Sequence, residues 1–144
     1  MKEGLNGKLA LDTSALIELL YSTPAGAVLR EKLKQGQIEA FTTELNIAEL
    51  RYVLCRKLGL KEAGVRVETL LASGYIIVED FSALIADASE LKCKRAISLA
   101  DCFCLALAQK TSSKALFATR EKDLTNEMQK TPFETEIIFL EDCS

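Results

Sequence analysis

The chain has no histidine and no tryptophan, and only two prolines and seven glycines among its 144 residues. Without imidazole, histidine general-base catalysis, Ser-His and Cys-His nucleophile pairs and histidine-ligated zinc are all excluded. Five cysteines (55, 93, 102, 104 and 143) form an odd set without C-x-x-C spacing, so neither a disulfide framework nor a zinc knuckle is expected. Cys102 and Cys104 would stand about 200° apart on a helix and cannot close on one ion from there. They read as small buried side chains in a reducing cytoplasm. No run approaches the roughly 18 uncharged apolar residues of a membrane helix. Met1 to Lys8 also lacks the apolar centre of a secretory signal. An enzyme of this composition must work with carboxylates, hydroxyls and lysines.

What remains is an ordinary globular composition, 49% hydrophobic and 27% charged, at a length that suits one domain over residues 1–144. Five short apolar runs read as strands: Leu9–Leu11, Ile38–Thr42, Tyr75–Val78, Ala115–Ala118 and Ile137–Leu140. The run Tyr75–Val78 is continuous and reads as a strand buried on both faces. Between the runs lie helical segments at Ala15–Leu20, Ala25–Gln35, from a Thr42 or Thr43 cap to Leu58, Lys61–Ala72, Phe81–Lys94 and Ala96–Ala108, with one more short helix before the last strand. Strands alternating with helices predict an α/β domain with a mostly parallel sheet covered on both sides. Ligands of such sheets bind beyond the carboxyl ends of the strands, where the strand order reverses.

The segment Ala96–Ala108 is apolar nearly all the way round, as a buried helix is, yet it carries Asp101. A buried carboxylate needs a partner, a proton or a cation. One helical turn away stand only Ile97, Ser98, Cys104 and Leu105. The bland alternative is a looser capping box, Ser98-x-x-Asp101. Asp12 has a bland reading too, as the N-cap of the helix after the first strand. Glu49, at the edge of an apolar helix face, could be an ordinary solvated residue. Together, however, Asp12, Glu49, Asp101 and one or both of Glu121 and Asp123 could meet at the crevice. Clustered carboxylates repel and hold protons unless a cation neutralises them. Oxygen ligands without cysteine or histidine favour Mg²⁺ or Mn²⁺, which can activate water for phosphodiester cleavage.

At these residues the sequence resembles the PIN-domain ribonucleases. Leu11-Asp12-Thr13-Ser14 looks like their first motif, and Ala48-Glu49-Leu50 is similar to the second. Ser98-Leu99-Ala100-Asp101-Cys102 resembles the third, and Phe117 through Leu124 the fourth. The likeness implies a three-layer α/β/α domain with a central five-stranded parallel sheet, and a Mg²⁺- or Mn²⁺-dependent endoribonuclease. The size resembles VapC-type toxins, which implies a homodimer silenced by a small antitoxin. By the same resemblance Asp12, Glu49 and Asp101 would be metal ligands, with Ser14 and Thr119 supporting them. Glu121 stands where the family often has Asp and Leu124 where it often has Phe, so the fourth ligand is either Glu121 or Asp123.

Basic residues near these motifs, Arg51, Lys94 and Arg95, are expected to grip substrate phosphates, against a net charge of −3. A haloacid-dehalogenase-like phosphatase would need Asp-x-Asp, and the second place here is Ser14. A receiver domain would use Asp80 but needs an acidic pair after the first strand, which is missing. A catalytically silent PIN scaffold is the non-enzymatic alternative. Such members typically lack one acid, and here all are present.

Overall fold

The computed structural model describes residues 4–143; Met1–Glu3, part of the stretch read above for a leader, and Ser144 lie outside it. The strands are β1 (Gly7–Leu11), β2 (Ile38–Thr43), β3 (Ile76–Glu79), β4 (Lys114–Phe117) and β5 (Ile137–Phe139). The helices are α1 (Thr13–Tyr21), α2 (Pro24–Lys34), α3 (Glu44–Leu58), α4 (Leu60–Ala72), α5 (Ile85–Lys94), α6 (Leu99–Thr111) and α7 (Lys122–Lys130). All strand pairs are parallel, in the order β3-β2-β1-β4-β5. The chain moves outward from β1 to β3, then crosses to β4 on the other side of β1. The order therefore reverses between β1 and β4.

Side-chain alternation along the strands divides the core in two. Leu9, Leu11, Ala40 and Leu116 pack under α1–α4, in one cluster with Leu16, Leu29, Leu50 and Val67. Ala10, Phe41, Ala115 and Phe117 face the other way, against Leu84, Ala88, Phe103, Leu107 and Leu124. The result is the expected α/β/α arrangement, with the sheet covered on both sides.

Three local readings are corrected. The strand β3 sits at a sheet edge, so Ile76 is buried while Ile77 is 42% exposed and Tyr75 lies outside the strand. The helix through Asp101 starts at Leu99, because Ser98 caps it by accepting from Asp101 N–H at 3.1 Å. The segment Phe81–Lys94 opens as a 3₁₀ turn over Phe81–Leu84, with the Asp80 carboxylate accepting from Ser82 N–H at 3.0 Å. That bond holds the Asp80 acid below its ordinary range, in a capping role.

Candidate active site

Asp12 lies at the reversal point, directly after β1. Its backbone N–H still bonds to Leu116 O of β4 (2.9 Å), while its carbonyl accepts from Ala15 and Leu16 and so starts α1. As the N-cap, its Oδ2 accepts from Ser14 N–H (3.1 Å) and the Ser14 hydroxyl (2.8 Å). Ser14 Oγ in turn accepts from Ala118 N–H at 3.0 Å, tying the loop after β4 to the same carboxylate. The side chain is only 3% exposed, and its Oδ1 is buried with no hydrogen-bond partner. An N-cap needs one oxygen. The cap leaves the second oxygen for a proton of Asp101 or for a cation.

The group beside Asp12 is the Asp101 carboxyl, carried by a helix buried from Ala100 to Ala108. Asp101 is 7% exposed and can offer Asp12 a hydrogen bond only when it carries a proton. Burial, then the charges of Asp12 and Glu121, push its acid up to about 8. Asp12 is raised as well, by burial and by Glu49, against the lowering effect of the Ser14 bonds. Below the pair, the buried Cys104 thiol donates to Ala10 O (3.6 Å). Burial, followed by the two carboxylates, holds that thiol far above its ordinary range, so it is no nucleophile.

Glu49, half-buried on α3, acts on Asp12 and Glu121 through its charge. Glu121 caps the start of α7 and is raised by partial burial, then by Asp12, Glu49 and Asp123. The four acids Asp12, Glu49, Asp101 and Glu121 thus share one neighbourhood. Asp123 is exposed and acts on the group through Glu121. Thr119 is exposed and offers its carbonyl to Glu121 N–H (3.0 Å). The hydroxyl that reaches Asp12 is that of Ser14.

The basic residues are engaged elsewhere. Arg51 pairs with Glu68 of α4, and Lys94 with Glu90 one turn back on α5 (2.9 Å). Arg95 is half-buried, donates to the carbonyls of Glu127, Thr131 and Pro132 at the end of α7, and stacks over Phe133 at 4.0 Å.

Residues 9–127 match the family model of the PIN domain. The chain belongs to the PIN-domain family. No curated protein matches it in sequence. Among solved structures, this PIN domain resembles the sarcin–ricin-loop-cleaving toxin VapC20 of Mycobacterium tuberculosis, at 18% identity and a TM-score of 0.63 over 83% of this chain and 93% of that one. It is also similar to VapBC2 of Rickettsia felis bound to promoter DNA, at 14% identity and TM-score 0.69, covering 92% and 98%. A third likeness is to VapBC-1 of nontypeable Haemophilus influenzae, at 16% identity and TM-score 0.62, covering 94% and 98%.

The donor set of this PIN domain suits a hard divalent ion: carboxylate oxygens, one of them buried and unpartnered, among acids that repel. Among the described residues, no three acidic or cysteine side chains already form a finished cage. An ion would therefore be held by one or two carboxylates with water completing the shell, as Mg²⁺ usually is. One neighbour of the acids escaped the sequence reading. Asn46 is fully buried at the start of α3, one turn before Glu49. Its only signal was a polar residue on the inward face of a helix start.

Proposed function

We propose that this PIN domain is a Mg²⁺- or Mn²⁺-dependent endoribonuclease and the toxin of a toxin–antitoxin pair. The observation that carries the reading is the unpartnered Oδ1 of Asp12 beside Asp101, at the strand-order reversal. Asp12 and Asp101 would be the principal metal ligands, with Glu49 and Glu121 completing the acidic rim and Asp123 outside it. A divalent ion held there supplies water activation and stabilises the leaving oxygen of a phosphodiester.

The chain's own residues do the rest. Ser14 fixes the Asp12 carboxylate through two bonds to Oδ2 and leaves Oδ1 uncommitted. Asp101 supplies a carboxylate that gives up its proton when a cation arrives. Glu49 and Glu121 would accept a proton from attacking water. The expected products carry a 5′-phosphate and a 3′-hydroxyl. Arg51 and Lys94 sit in exposed ion pairs, which solvent and salt screen, so a phosphate can recruit them. Arg95 is bound into the α7 end and contributes there instead.

The VapBC structures it resembles support an antitoxin as partner. An apolar groove of about 430 Å³ between α1–α2 and α4, lined by Leu20, Leu33, Val65 and Tyr75, is rimmed by Arg30, Lys34 and Arg66 against Glu62. That charge balance suits an amphipathic antitoxin helix with an acidic flank. The reading includes a homodimer and a cytoplasmic setting; among the described residues no helix is long and apolar enough to cross a membrane, and the five cysteines are free.

The test is cleavage of a mixed pool of labelled RNAs and single-stranded DNAs with Mn²⁺, Mg²⁺ or EDTA, using wild type, Asp12→Asn and Asp101→Asn. Metal-dependent cutting of RNA, lost in both variants, is the expected result. Folded protein that neither cuts nor binds a divalent ion would leave the scaffold reading standing.

A further inference from the structure

We infer that Asn46 is a positioning residue that fixes the spacing of the carboxylates through the starts of three helices, an inference that rests on the nuclease reading above. Its amide spans them directly. Asn46 Oδ1 accepts from the Thr43 hydroxyl (2.6 Å), and its backbone N–H donates to Thr43 Oγ (3.1 Å), which closes the N-terminus of α3. Asn46 Nδ2 donates to Thr13 Oγ (3.2 Å) at the first residue of α1 and to Ala100 O (3.5 Å) in the first turn of α6. The Thr13 hydroxyl returns a bond to Asn46 O at 3.2 Å. The Ala100 carbonyl can only accept, so the amide has one orientation.

The bracket reaches no carboxylate itself. Thr13 follows Asp12, Ala100 precedes Asp101, and Asn46 stands one turn before Glu49. Three acids from three distant parts of the chain are thereby referred to one fully buried amide. A helix cap alone would need the Thr43 bonds and no others. The two Nδ2 bonds and the Thr13 return bond add nothing to α3. They hold α1 and α6 at a set distance from it, against the repulsion of the acids they carry. A fully satisfied buried polar network of this kind fixes geometry more than an apolar contact of equal volume does.

Asn46→Leu keeps the volume and removes the three bonds of the amide side chain; Thr13→Val keeps the shape of Thr13 and removes its two side-chain bonds. Wild type and both variants are titrated with Mn²⁺ by calorimetry, melted in EDTA, and assayed for cleavage at saturating Mn²⁺. Asn46→Leu should lose about 10–100-fold in Mn²⁺ affinity, the usual effect of removing a group that orients a ligand, and Thr13→Val less. The kcat should fall while KM for RNA holds. A variant that melts earlier yet binds Mn²⁺ like wild type overturns the inference and leaves Asn46 a buried cap. If Asn46→Leu does not fold, Thr13→Val decides by the same criterion. Wild type that binds no Mn²⁺ overturns the nuclease reading itself, and this inference with it; wild-type binding with unchanged variants overturns the inference alone.

Discussion

Two parts of this molecule bury carboxylates, and they treat them in opposite ways. Beside α7, Glu127 is 6% exposed and faces both Arg95 (3.7 Å) and Lys130 (3.4 Å). Even at the surface, the Arg120 guanidinium grips both oxygens of the exposed Asp142 (2.7 and 2.5 Å). At the end of β1, Asp12 and Asp101 are as deeply buried, 3% and 7% exposed, and among the described residues they have serine hydroxyls, each other and further acids but no ion pair. A carboxylate buried to hold the fold together comes with its cation. On the proposed reading, one buried without a cation is left for a metal ion to neutralise.

Neutralising one acid in each place therefore gives opposite signatures. Asp101→Asn should lower RNA cleavage by about 10³-fold or more, since a divalent ion is worth several kcal/mol to the transition state. In EDTA at pH 8 the same variant should melt higher than wild type, because a repelling buried charge is gone. Glu127→Ala should do the reverse. Breaking a buried pair by removing one partner costs about 3 kcal/mol, or roughly 6–12 °C in a domain of this size. The protein still folded should cut RNA at close to the normal rate. Equal losses of activity in both variants would dissolve the distinction.

The contrast extends to pH. Asp101 unfolded titrates near 3.8 and folded at about 8, so between these values the native state holds a proton that the unfolded state has released. Its contribution to stability is present below pH 4 and is lost as pH rises through about 8. Asp12 and Glu121, also raised, act in the same direction. Asp142, lowered by Arg120, acts in the other: its contribution is present at neutral pH and lost in acid. One proton held by the native state and not by the unfolded chain changes stability by about 1.4 kcal/mol for every unit of pH. In EDTA the melting temperature should therefore fall by about 5 °C or more from pH 5 to 8. Saturating Mn²⁺ should remove most of that fall, and Asp101→Asn should flatten the EDTA curve. A wild-type curve flat in EDTA would mean that the acids do not repel in the folded state.

The fold was legible because strand and helix periods were clear and the acids followed β1 and β4, where an α/β sheet places its ligands. Asp101 announced itself by its surroundings: a charge in a helix otherwise uniformly apolar has few structural explanations. Sheet position was not legible. The run Tyr75–Val78 reads as buried on both faces because it is continuous, but nothing local records that β3 has a neighbour on one side only. The tasks of Arg95 and Asn46 were equally hidden. Arg95 closes on carbonyls 32 to 37 residues away, and Asn46 bonds to Thr13 and Ala100, 33 and 54 residues off. Such partners appear only when the chain has folded.

The smallest effect separates the two acids that spacing could not. Glu121 and Asp123 stand two residues apart, and it is Glu121 that the charges of Asp12 and Glu49 raise and that acts on Asp101. The cause is the start of α7. Both are exposed, but Glu121, as N-cap, keeps an extended backbone, while Asp123 is already in the first helical turn. Glu121→Gln should weaken Mn²⁺ binding by about tenfold, the scale of one carboxylate at the edge of a site. Asp123→Asn should change it by less than about twofold, because its charge bears on the group through Glu121 and is screened by water and salt. Calorimetric titration of the two variants side by side makes the comparison. A larger loss from Asp123→Asn would mean that α7 unwinds its first turn on metal binding, bringing the second acid in and moving the boundary between the acidic floor and the surface around it.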